Sequence, residues 1–414
     1  MAGRGPADEG KTNRAAVVPG SRSWIDEGYK LDFACFDQTD ARGNERMSRD
    51  VDFGVFLPVT NNGWVISKTS PQFLPTFDYN RRIGQLAERV GFSYLFSMAK
   101  WRGFGGEVEF WKYAIESTIL MSALAGAVPS LRLIASVAPA LIHPAVLAKM
   151  AATMDDVAQG RMGLNIVSAG NKGEYAQMGL YPENFEDFRY EYTDEWICVV
   201  KRLWAEASTT FKGRYFELDD CIAYPKPIAG GMDITCATSS ERGFQFVADH
   251  CTDGLFGGLS RAHQISLSRR MKEVAAERGK KVRTHTLIMM IQGDTDADAE
   301  RLLAHYAAGA DQEAIRNIFE LRARDKKPGA RGDRYKTRFE SADMRLFYAG
   351  VPYVGGPERI ADMLEELAVD GDLDGFLLIF PDFIEGIERF GAQVLPILRQ
   401  RGYGRLTPPY AIVA

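Results

Sequence analysis

The sequence has little cysteine, no long apolar run and no excess of positive charge, and each shortage excludes a class of protein. Its five cysteines are scattered through 414 residues without a CxxC pair, which argues against a disulfide framework. The 50 Lys and Arg residues are outnumbered by 55 Asp and Glu residues, whereas binding to nucleic acid or anionic membrane needs a basic face. No segment reaches the ~18 uncharged apolar residues of a membrane span, and the N-terminus lacks the apolar core of a secretory signal. We therefore expect a soluble, cytoplasmic protein that binds neither nucleic acid nor membrane.

Short apolar runs alternate with segments of helical periodicity from residue 51 onward. Eight of these runs predict strands, and seven of them are followed by a predicted helix, at the ~30–40-residue spacing of βα units. The runs are apolar throughout, which is typical of parallel strands covered on both faces. The pattern predicts an α/β protein, a (β/α)8 TIM barrel with an insertion before the last strand. The alternative is a doubly wound open sheet, but no GxGxxG motif opens the first helix.

The segments outside the strands and helices set the expected domain boundaries. Residues 1–22 are rich in glycine, proline and charge and predict a disordered tail. Residues 23–50 carry large apolar side chains and predict an arm that packs on the body or on a neighbouring subunit. The barrel is expected at 51–402, with a charged, helical insertion at about 296–350, and a C-terminal tail follows at 403–414. Because the arm needs a surface to cover it, we also expect the chain to self-associate.

Functional residues of a TIM barrel follow the carboxyl ends of its strands. The corresponding segments here are rich in amides, hydroxyls and glycines and poor in acid–base pairs. They contain no HExxH, no GxSxG, no Ser/His/Asp order and no cluster at metal-ligand spacing, so we expect no metal site. These segments together form the mouth of the barrel, at the carboxyl ends of its strands. A mouth of this composition suits a flat, hydrogen-bonding cofactor that carries the chemistry itself.

Two of these segments have residues that are suited to binding a ligand. Ser239 and Ser240 follow a predicted strand and open a predicted helix, where free backbone N–H groups can hold a phosphate. Arg189, on another predicted helix, can supply the matching positive charge. The alternative is an ordinary serine helix cap and a solvated arginine. His143 lies at a helix start and can reach a ligand there, although a single imidazole is more often structural.

Longer stretches around these loops carry a family resemblance. They are FGVFLPVTNNGWVIS (53–67), SMAKWRGFGGEVEFW (97–111), KMAATMDDVAQGRMGLNIVS (149–168), GEYAQMG (173–179) and FKGRYFELDDC (211–221). With them the chain resembles the luciferase-like flavin monooxygenases and, within that family, the two-component pyrimidine monooxygenases of the Rut pathway. The resemblance implies a barrel of the bacterial-luciferase type that uses O2 and reduced FMN. It also implies a separate NAD(P)H-dependent flavin reductase as a transient partner, and a homodimer or homotetramer.

The same resemblance implies roles for individual residues. Flavin contacts are expected, with Ser239 added from the helix start, at Ala99, Lys100, Asn165, Glu174, Arg189, Tyr190, Ser239 and Ser240. The catalytic oxygen pocket beside the flavin is expected to consist of Phe96, Ser136 and Asn165. Candidate substrate contacts are Trp64, Arg102, His143 and Gly170.

The chain departs from the pyrimidine subfamily where the substrate is expected. Gly170 stands where that subfamily has a tryptophan, which frees volume over the flavin for a ring bulkier than uracil. We therefore predict a monooxygenase that acts on a nitrogen heterocycle or similar small ring through a flavin–oxygen adduct at N5 or C4a, with ring or C–N cleavage or loss of a leaving group. Riboflavin cleavage, aromatic dehalogenation and sulfone oxidation are alternatives within the family. A deazaflavin-dependent oxidoreductase and a non-catalytic flavin-binding protein are the alternatives outside this chemistry.

Overall fold

The computed structural model describes residues 49–168, 172–323 and 344–404. The predicted tail at 1–22, the arm at 23–50 apart from Arg49 and Asp50, Gly170, and the C-terminal tail beyond residue 404 lie outside these ranges. The predictions for those segments, and for self-association, therefore stay predictions. Among the helices within the described ranges, none is long and apolar enough to cross a membrane.

The described ranges contain eleven strands and twelve α-helices. The strands are β1 (Asp52–Phe56), β2 (Tyr94–Phe96), β3 (Arg132–Val137), β4 (Met162–Ile166), β5 (Thr209–Lys212), β6 (Glu217–Cys221), β7 (Asp233–Ala237), β8 (Asp253–Phe256), β9 (Arg283–Gln292), β10 (Val351–Gly355) and β11 (Gly375–Ile379). The helices are α1 (Phe77–Val90), α2 (Ser117–Ala125), α3 (Pro144–Val157), α4 (Lys172–Ala176), α5 (Phe185–Ala205), α6 (Glu241–His250), α7 (Arg261–Glu277), α8 (Asp296–Ala308), α9 (Gln312–Ala323), α10 (Pro357–Asp370), α11 (Phe383–Arg389) and α12 (Leu395–Gln400), the last two joined by a π-helical turn (Phe390–Val394).

Eight of the strands form a closed parallel barrel, as predicted. Their order is β1-β2-β3-β4-β7-β8-β9-β11, and β11 pairs with β1 to complete the circle. The pairing of β8 with β9 and of β11 with β1 leaves no open edge, so the alternative of an open sheet is wrong. Strands such as β1 and β3 are buried along their whole length, because helices cover the outer face and side chains fill the interior.

A contact across the lumen shows which side chains point inward. Tyr94 on β2 places its hydroxyl 3.1 Å from His285 Nδ1 on β9, and these strands are not neighbours in the barrel. The Tyr94 ring passes over Gly54, where a Cβ atom would lie 2.2 Å from it. Because side chains alternate along a strand, Phe56 and Phe96 also point inward, one layer nearer the carboxyl ends of the strands.

The loop after β2 is longer than the sequence predicts. A helix is expected over 109–127, but α2 begins only at Ser117. Phe110 instead pairs with Gly105 across a tight turn, and Trp111 adopts a φ of 63°. Both aromatic side chains are fully buried, so packing of this loop outweighs its helical periodicity.

The segment between β9 and β11 contains more than one helix. It consists of α8 and α9, which lie within the predicted insertion at about 296–350, a segment outside the described ranges, and then the additional strand β10 and the helix α10. β9 pairs with β8 through residues 283–286 and with β10 through residues 288–292. β11 pairs with one edge of β9, over residues 285–289. β10 therefore pairs with the opposite edge of β9, the edge that β8 also uses, and continues along it beyond the end of β8. The insertion thus builds directly onto the carboxyl end of the barrel.

Candidate functional site

Two side chains, from β3 and β4, and a backbone carbonyl directly after β2 form a hydrogen-bonded line on the inner wall of the barrel. Asn165 on β4 donates from Nδ2 to Ser136 Oγ on β3 over 2.8 Å, and that hydroxyl donates to the Ser97 carbonyl over 2.6 Å. Phe96, one residue before Ser97, packs edge-on against Phe56 with 5.1 Å between ring centroids. All of these side chains are buried. The structure therefore brings together the residues of the predicted oxygen pocket.

The amide oxygen of Asn165 is left without a hydrogen-bond donor. Oδ1 is buried, and no donor in the part of the chain that the structure describes reaches it. Since Nδ2 is held by Ser136, Oδ1 is the atom that remains for a ligand. An unpaired buried acceptor costs about 1–3 kcal/mol. A ligand with an N–H group at this position would remove that cost.

A buried ion pair lies beyond the end of β2. Lys100 Nζ is 3.0 Å from Glu174 Oε2, and the two side chains are only 4% and 7% exposed. The other carboxylate oxygen of Glu174 accepts the backbone N–H of Trp101 over 2.6 Å. The ammonium group also lies over the Phe104 ring, 4.5 Å from its centroid. The pair joins α4 to the loop after β2 and fixes a cation at the mouth of the barrel.

Hydroxyl groups and cations meet where α6 begins, after the end of β7. Ser240 caps α6 by accepting the N–H of Gly243 over 3.2 Å, and Tyr190 Oη on α5 lies 3.4 Å from the same hydroxyl. The guanidinium groups of Arg189 and Arg242 lie over the Tyr190 ring, 5.2 Å and 5.1 Å from its centroid. A helix N-terminus with a hydroxyl and guanidinium groups around it has the chemistry of a phosphate site.

The loop after β1 contributes Trp64 to an aromatic cluster at the same mouth. The Trp64 ring lies 4.3 Å from that of Phe56 and stands perpendicular to that of Trp111 at 5.2 Å. Tyr348, from the insertion, packs on Trp111 at 4.0 Å and donates its backbone N–H to the Trp64 carbonyl over 3.0 Å. The insertion therefore forms one wall of the mouth.

The remaining predicted site residues have less connection to this mouth. Arg102 is exposed on the loop after β2, and Ala99 is half-buried beside Lys100. His143 caps α3 by accepting the N–H of Ala145 and packs edge-on against Phe216, which is the structural alternative weighed from the sequence. Ser239 is half-buried beside Ser240, and Gly170 lies outside the described ranges.

The groups are arranged in sequence order around the rim of the barrel. Trp64 follows β1, Lys100 follows β2, Ser136 and Asn165 lie on β3 and β4, and Ser240 follows β7. In the described ranges, no three His, Cys, Asp or Glu side chains are placed to hold a metal. The mouth therefore offers hydrogen bonds, cations and aromatic surface.

Comparison with known proteins decides the family. The family model described as luciferase-like monooxygenase matches residues 51–373. The chain belongs to the luciferase-like monooxygenase family. Membership makes it a flavin-dependent monooxygenase, which is the enzyme class predicted from the sequence.

Relatives and solved structures agree with this assignment. The chain is 38% identical over 352 residues to the pyrimidine monooxygenase RutA of Acinetobacter baylyi, covering 84% of this chain and 95% of that protein. It is 39% identical over 355 residues to RutA of Caulobacter vibrioides, covering 85% and 99%. The crystal structure of the riboflavin lyase RcaE superposes with a TM-score of 0.75 at 22% identity, covering 88% of this chain and 94% of that one. DmoA from Hyphomicrobium sulfonivorans superposes with a TM-score of 0.74 at 19% identity, covering 87% and 90%, and both structures show the fold of the family.

Several residues of this mouth were not predicted from the sequence. Ser117, at the start of α2, accepts the backbone N–H of Ser136 over 2.8 Å and lies 2.5 Å from Ser97 Oγ. Arg242 stands in the first turn of α6, and Tyr348 comes from the insertion. The arginine directly after Ser239-Ser240-Glu241 was a visible signal for Arg242. No pattern links Ser117 or Tyr348 to the mouth, because the fold alone brings them there.

Proposed function

We propose that the protein is a two-component monooxygenase that binds FMNH2 delivered by a separate NAD(P)H-dependent flavin reductase and uses O2 to oxidise a nitrogen heterocycle. The observation that carries this proposal is the order of groups around the mouth. A cluster suited to phosphate follows β7, an unpaired amide oxygen lies on β4, and a buried ion pair follows β2. FMN has a phosphate at one end and a hydrogen-bonding ring at the other, so these residues fit it along its length.

Each group has a distinct role in this proposal. Ser240, Tyr190 and Arg189 would hold the phosphate, and Asn165 Oδ1 would accept an N–H of the ring. Lys100, fixed by Glu174, would position the ring from the side of β2. When bound, reduced FMN supplies the electrons with which O2 is activated.

The chain's own residues also define the place where oxygen reacts. The hydroxyl of Ser136 and the amide of Asn165 are held in one orientation by their mutual bond and by the Ser97 carbonyl. Phe56 and Phe96 form the buried apolar floor beside them and exclude water from it. A preorganised polar pair against a dry floor is suited to orienting a reactive oxygen group.

The proposed substrate is a nitrogen heterocycle larger than uracil, with ring or C–N cleavage or loss of a leaving group as the outcome. The similarity to enzymes named pyrimidine monooxygenase, across nearly their whole length, supports the heterocycle. Gly170 in place of the subfamily's tryptophan supports the larger size. Trp64, within the aromatic cluster, and Arg102, exposed on the loop after β2, are proposed substrate contacts.

Flavin titration and oxygen consumption test this proposal together. Under anaerobic conditions we expect the protein to bind FMNH2 more tightly than oxidised FMN, because a two-component oxygenase receives its flavin reduced. On admission of O2, we expect a heterocyclic substrate to change the yield of hydrogen peroxide. Equal affinity for the two forms, with peroxide yield unchanged across a panel of rings, would contradict the proposal and favour a flavin-binding protein without catalysis.

A further inference from the structure

Trp64 differs from the other buried tryptophans in its hydrogen bonding. The indole N–H groups of Trp111, Trp196 and Trp204 donate to backbone carbonyls, over 2.6 Å, 2.8 Å and 3.0 Å. Trp64 is only 2% exposed, and its Nε1 is buried without an acceptor in the described ranges. A buried donor without a partner is destabilising, so its presence in a well-packed cluster calls for a ligand.

The surroundings of Trp64 hold this donor in place. Its ring is fixed by Phe56 and Trp111, and its carbonyl accepts the backbone N–H of Tyr348. Trp111 in turn donates to the carbonyl of Gly63, directly before Trp64. With backbone and ring both fixed, the indole does not need to reorganise to bind an acceptor.

The position of Trp64 on the rim indicates what it meets. The cluster suited to phosphate follows β7, and the unpaired Asn165 oxygen lies on β4, whereas Trp64 follows β1 and faces the insertion. An FMN that spans from β7 towards β2 leaves the β1 side of the mouth for the second reactant. The wall there is aromatic, with Phe56, Trp111 and Tyr348 around Trp64, which suits a flat ring.

We propose that the indole N–H of Trp64 is the specificity-determining donor that binds a carbonyl oxygen of the heterocyclic substrate. This inference rests on the proposed function and deepens it, since it requires a ring that carries an acceptor oxygen on its edge. A site with a buried donor discriminates against analogues that leave the donor unpaired. Trp64 acts by selecting and orienting the ring.

The test combines a change in the protein with a change in the ligand. Anaerobic equilibrium dialysis with FMNH2-loaded protein would measure the binding of uracil, pyrimidin-2-one and pyrimidin-4-one to the wild type and to Trp64→Phe. We expect the wild type to bind uracil about 2- to 12-fold more tightly than one of the two mono-oxo rings, which is the range of a neutral hydrogen bond. Trp64→Phe should remove that preference.

Trp204→Phe is the matched control, because it removes a buried indole N–H that is already bonded to Ala148. Trp204→Phe should keep the ligand preference of the wild type. Its free energy of unfolding should fall by more than that of Trp64→Phe, because only the change at Trp204 leaves an acceptor, the Ala148 carbonyl, without its donor. A preference that survives in Trp64→Phe, or a loss of FMNH2 affinity in that variant, would overturn the role assigned to Trp64 and leave the proposed function standing. A wild type that binds FMNH2 but none of the three rings would overturn the role assigned to Trp64, whereas the proposed function is tested separately by flavin affinity and oxygen consumption.

Discussion

The ion pair of Lys100 and Glu174 is almost excluded from water, with side chains 4% and 7% exposed. Each charge depends on the other, since removing one partner of such a pair leaves an uncompensated buried charge. The carboxylate has a second task, because it also accepts the backbone N–H of Trp101. The same two residues therefore stabilise the fold and hold Lys100 in place as a proposed flavin contact.

We expect Lys100→Met to lower the free energy of unfolding by about 3–5 kcal/mol, because Glu174 would stay buried without its cation. The double variant Lys100→Met with Glu174→Gln should recover most of this loss, since a glutamine oxygen can still accept the Trp101 N–H. Urea unfolding measures both values. The exposed pair Lys68–Glu107 provides the control, because Lys68→Met should cost less than about 1 kcal/mol. A double variant no more stable than the single one would contradict the account.

The sequence indicates which residues are candidates at this mouth, but it does not show which residues they bond to. A strand followed by serines and a helix is a local pattern that makes Ser240 a candidate, whereas Arg189 lies on another helix and its role is implied by the family resemblance. The bond from Ser136 to Ser117 connects a strand to the start of α2, and only the folded barrel brings the two together. The unpaired Nε1 of Trp64 cannot be recognised from the sequence at all, since it is defined by what is missing around it.

At the scale of elements, two helices offer a controlled comparison. Ser240 caps α6 and Ser260 caps α7, each by accepting a backbone N–H over 3.2 Å. Only the first lies beside Tyr190 and two arginines. The two helix starts therefore share their local capping and differ in the proposed phosphate site.

Ser240→Ala and Ser260→Ala should each cost about 1 kcal/mol of stability through the lost cap. Only Ser240→Ala should also reduce the ratio of FMNH2 affinity to reduced-riboflavin affinity, because riboflavin lacks the phosphate. Thermal unfolding and anaerobic titration with the two flavins check these outcomes. If both variants kept the wild-type ratio, α6 would not be the phosphate site.

A buried carboxylate of the insertion binds the loop after β2. Asp311 accepts the N–H of Val108 over 2.9 Å and those of Glu313 and Ala314, at the start of α9, over 3.1 Å and 3.0 Å. The loop after β2 also carries Phe110 and Trp111, whose packing replaced the helix predicted at 109–127. Helical periodicity predicted that segment wrongly because its apolar side chains face the aromatic cluster instead of a barrel strand.

We expect Asp311→Ala to loosen this loop locally. Hydrogen exchange at Val108 should become faster by at least tenfold, since its amide loses the Asp311 acceptor and the start of α9 loses its cap. Amides of β1 and β3, far from the contact, serve as the internal reference and should keep their rates. Uniform acceleration of exchange throughout the barrel would instead show that Asp311 supports global stability.

At the scale of the whole molecule, the interior of the barrel holds a charged network below the aromatic layer. Asp253, at the start of β8, lies 2.9 Å from His285 Nε2, 2.8 Å from a nitrogen of Arg283 and 3.7 Å from one of Arg132. Burial alone would raise the pKa of the Asp253 carboxyl, but the hydrogen bond from His285 and the charges of Arg132 and Arg283 hold that pKa well below its usual range. The network extends across the lumen through Tyr94, whose hydroxyl lies 3.1 Å from His285 Nδ1.

A depressed carboxyl pKa makes stability depend on pH. Because the unfolded chain binds the proton near pH 4 and the folded one does so only at lower pH, the contribution of Asp253 is fully present above about pH 5 and is lost as pH falls below about 4. Asp253→Asn should therefore be less stable than the wild type at pH 7 by about 3–5 kcal/mol. Urea unfolding between pH 7 and pH 2.5 should show the gap narrowing below pH 4. A constant gap over that range would contradict the assigned pKa direction.

The alternation of apolar runs with helical segments predicted the barrel, because each parallel strand buried on both faces is a continuous apolar run. Closure of the barrel could be argued only from the number of runs, and the pairings of β8 with β9 and β11 with β1 confirm it. The short strand β10 was not predicted, since Val351–Gly355 contains a proline and, within the described ranges, pairs along one edge only, with β9.

Incorporation of ¹⁸O from ¹⁸O₂ during turnover shows directly whether the protein is a monooxygenase of nitrogen heterocycles. FMNH2 would be supplied anaerobically and ¹⁸O₂ then admitted, with uracil, larger pyrimidines and riboflavin as substrates, and products would be read by mass spectrometry. We predict one ¹⁸O atom in the product of a nitrogen heterocycle, with a ring larger than uracil giving the higher yield. Hydrogen peroxide as the sole oxygen product from every ring would contradict this prediction.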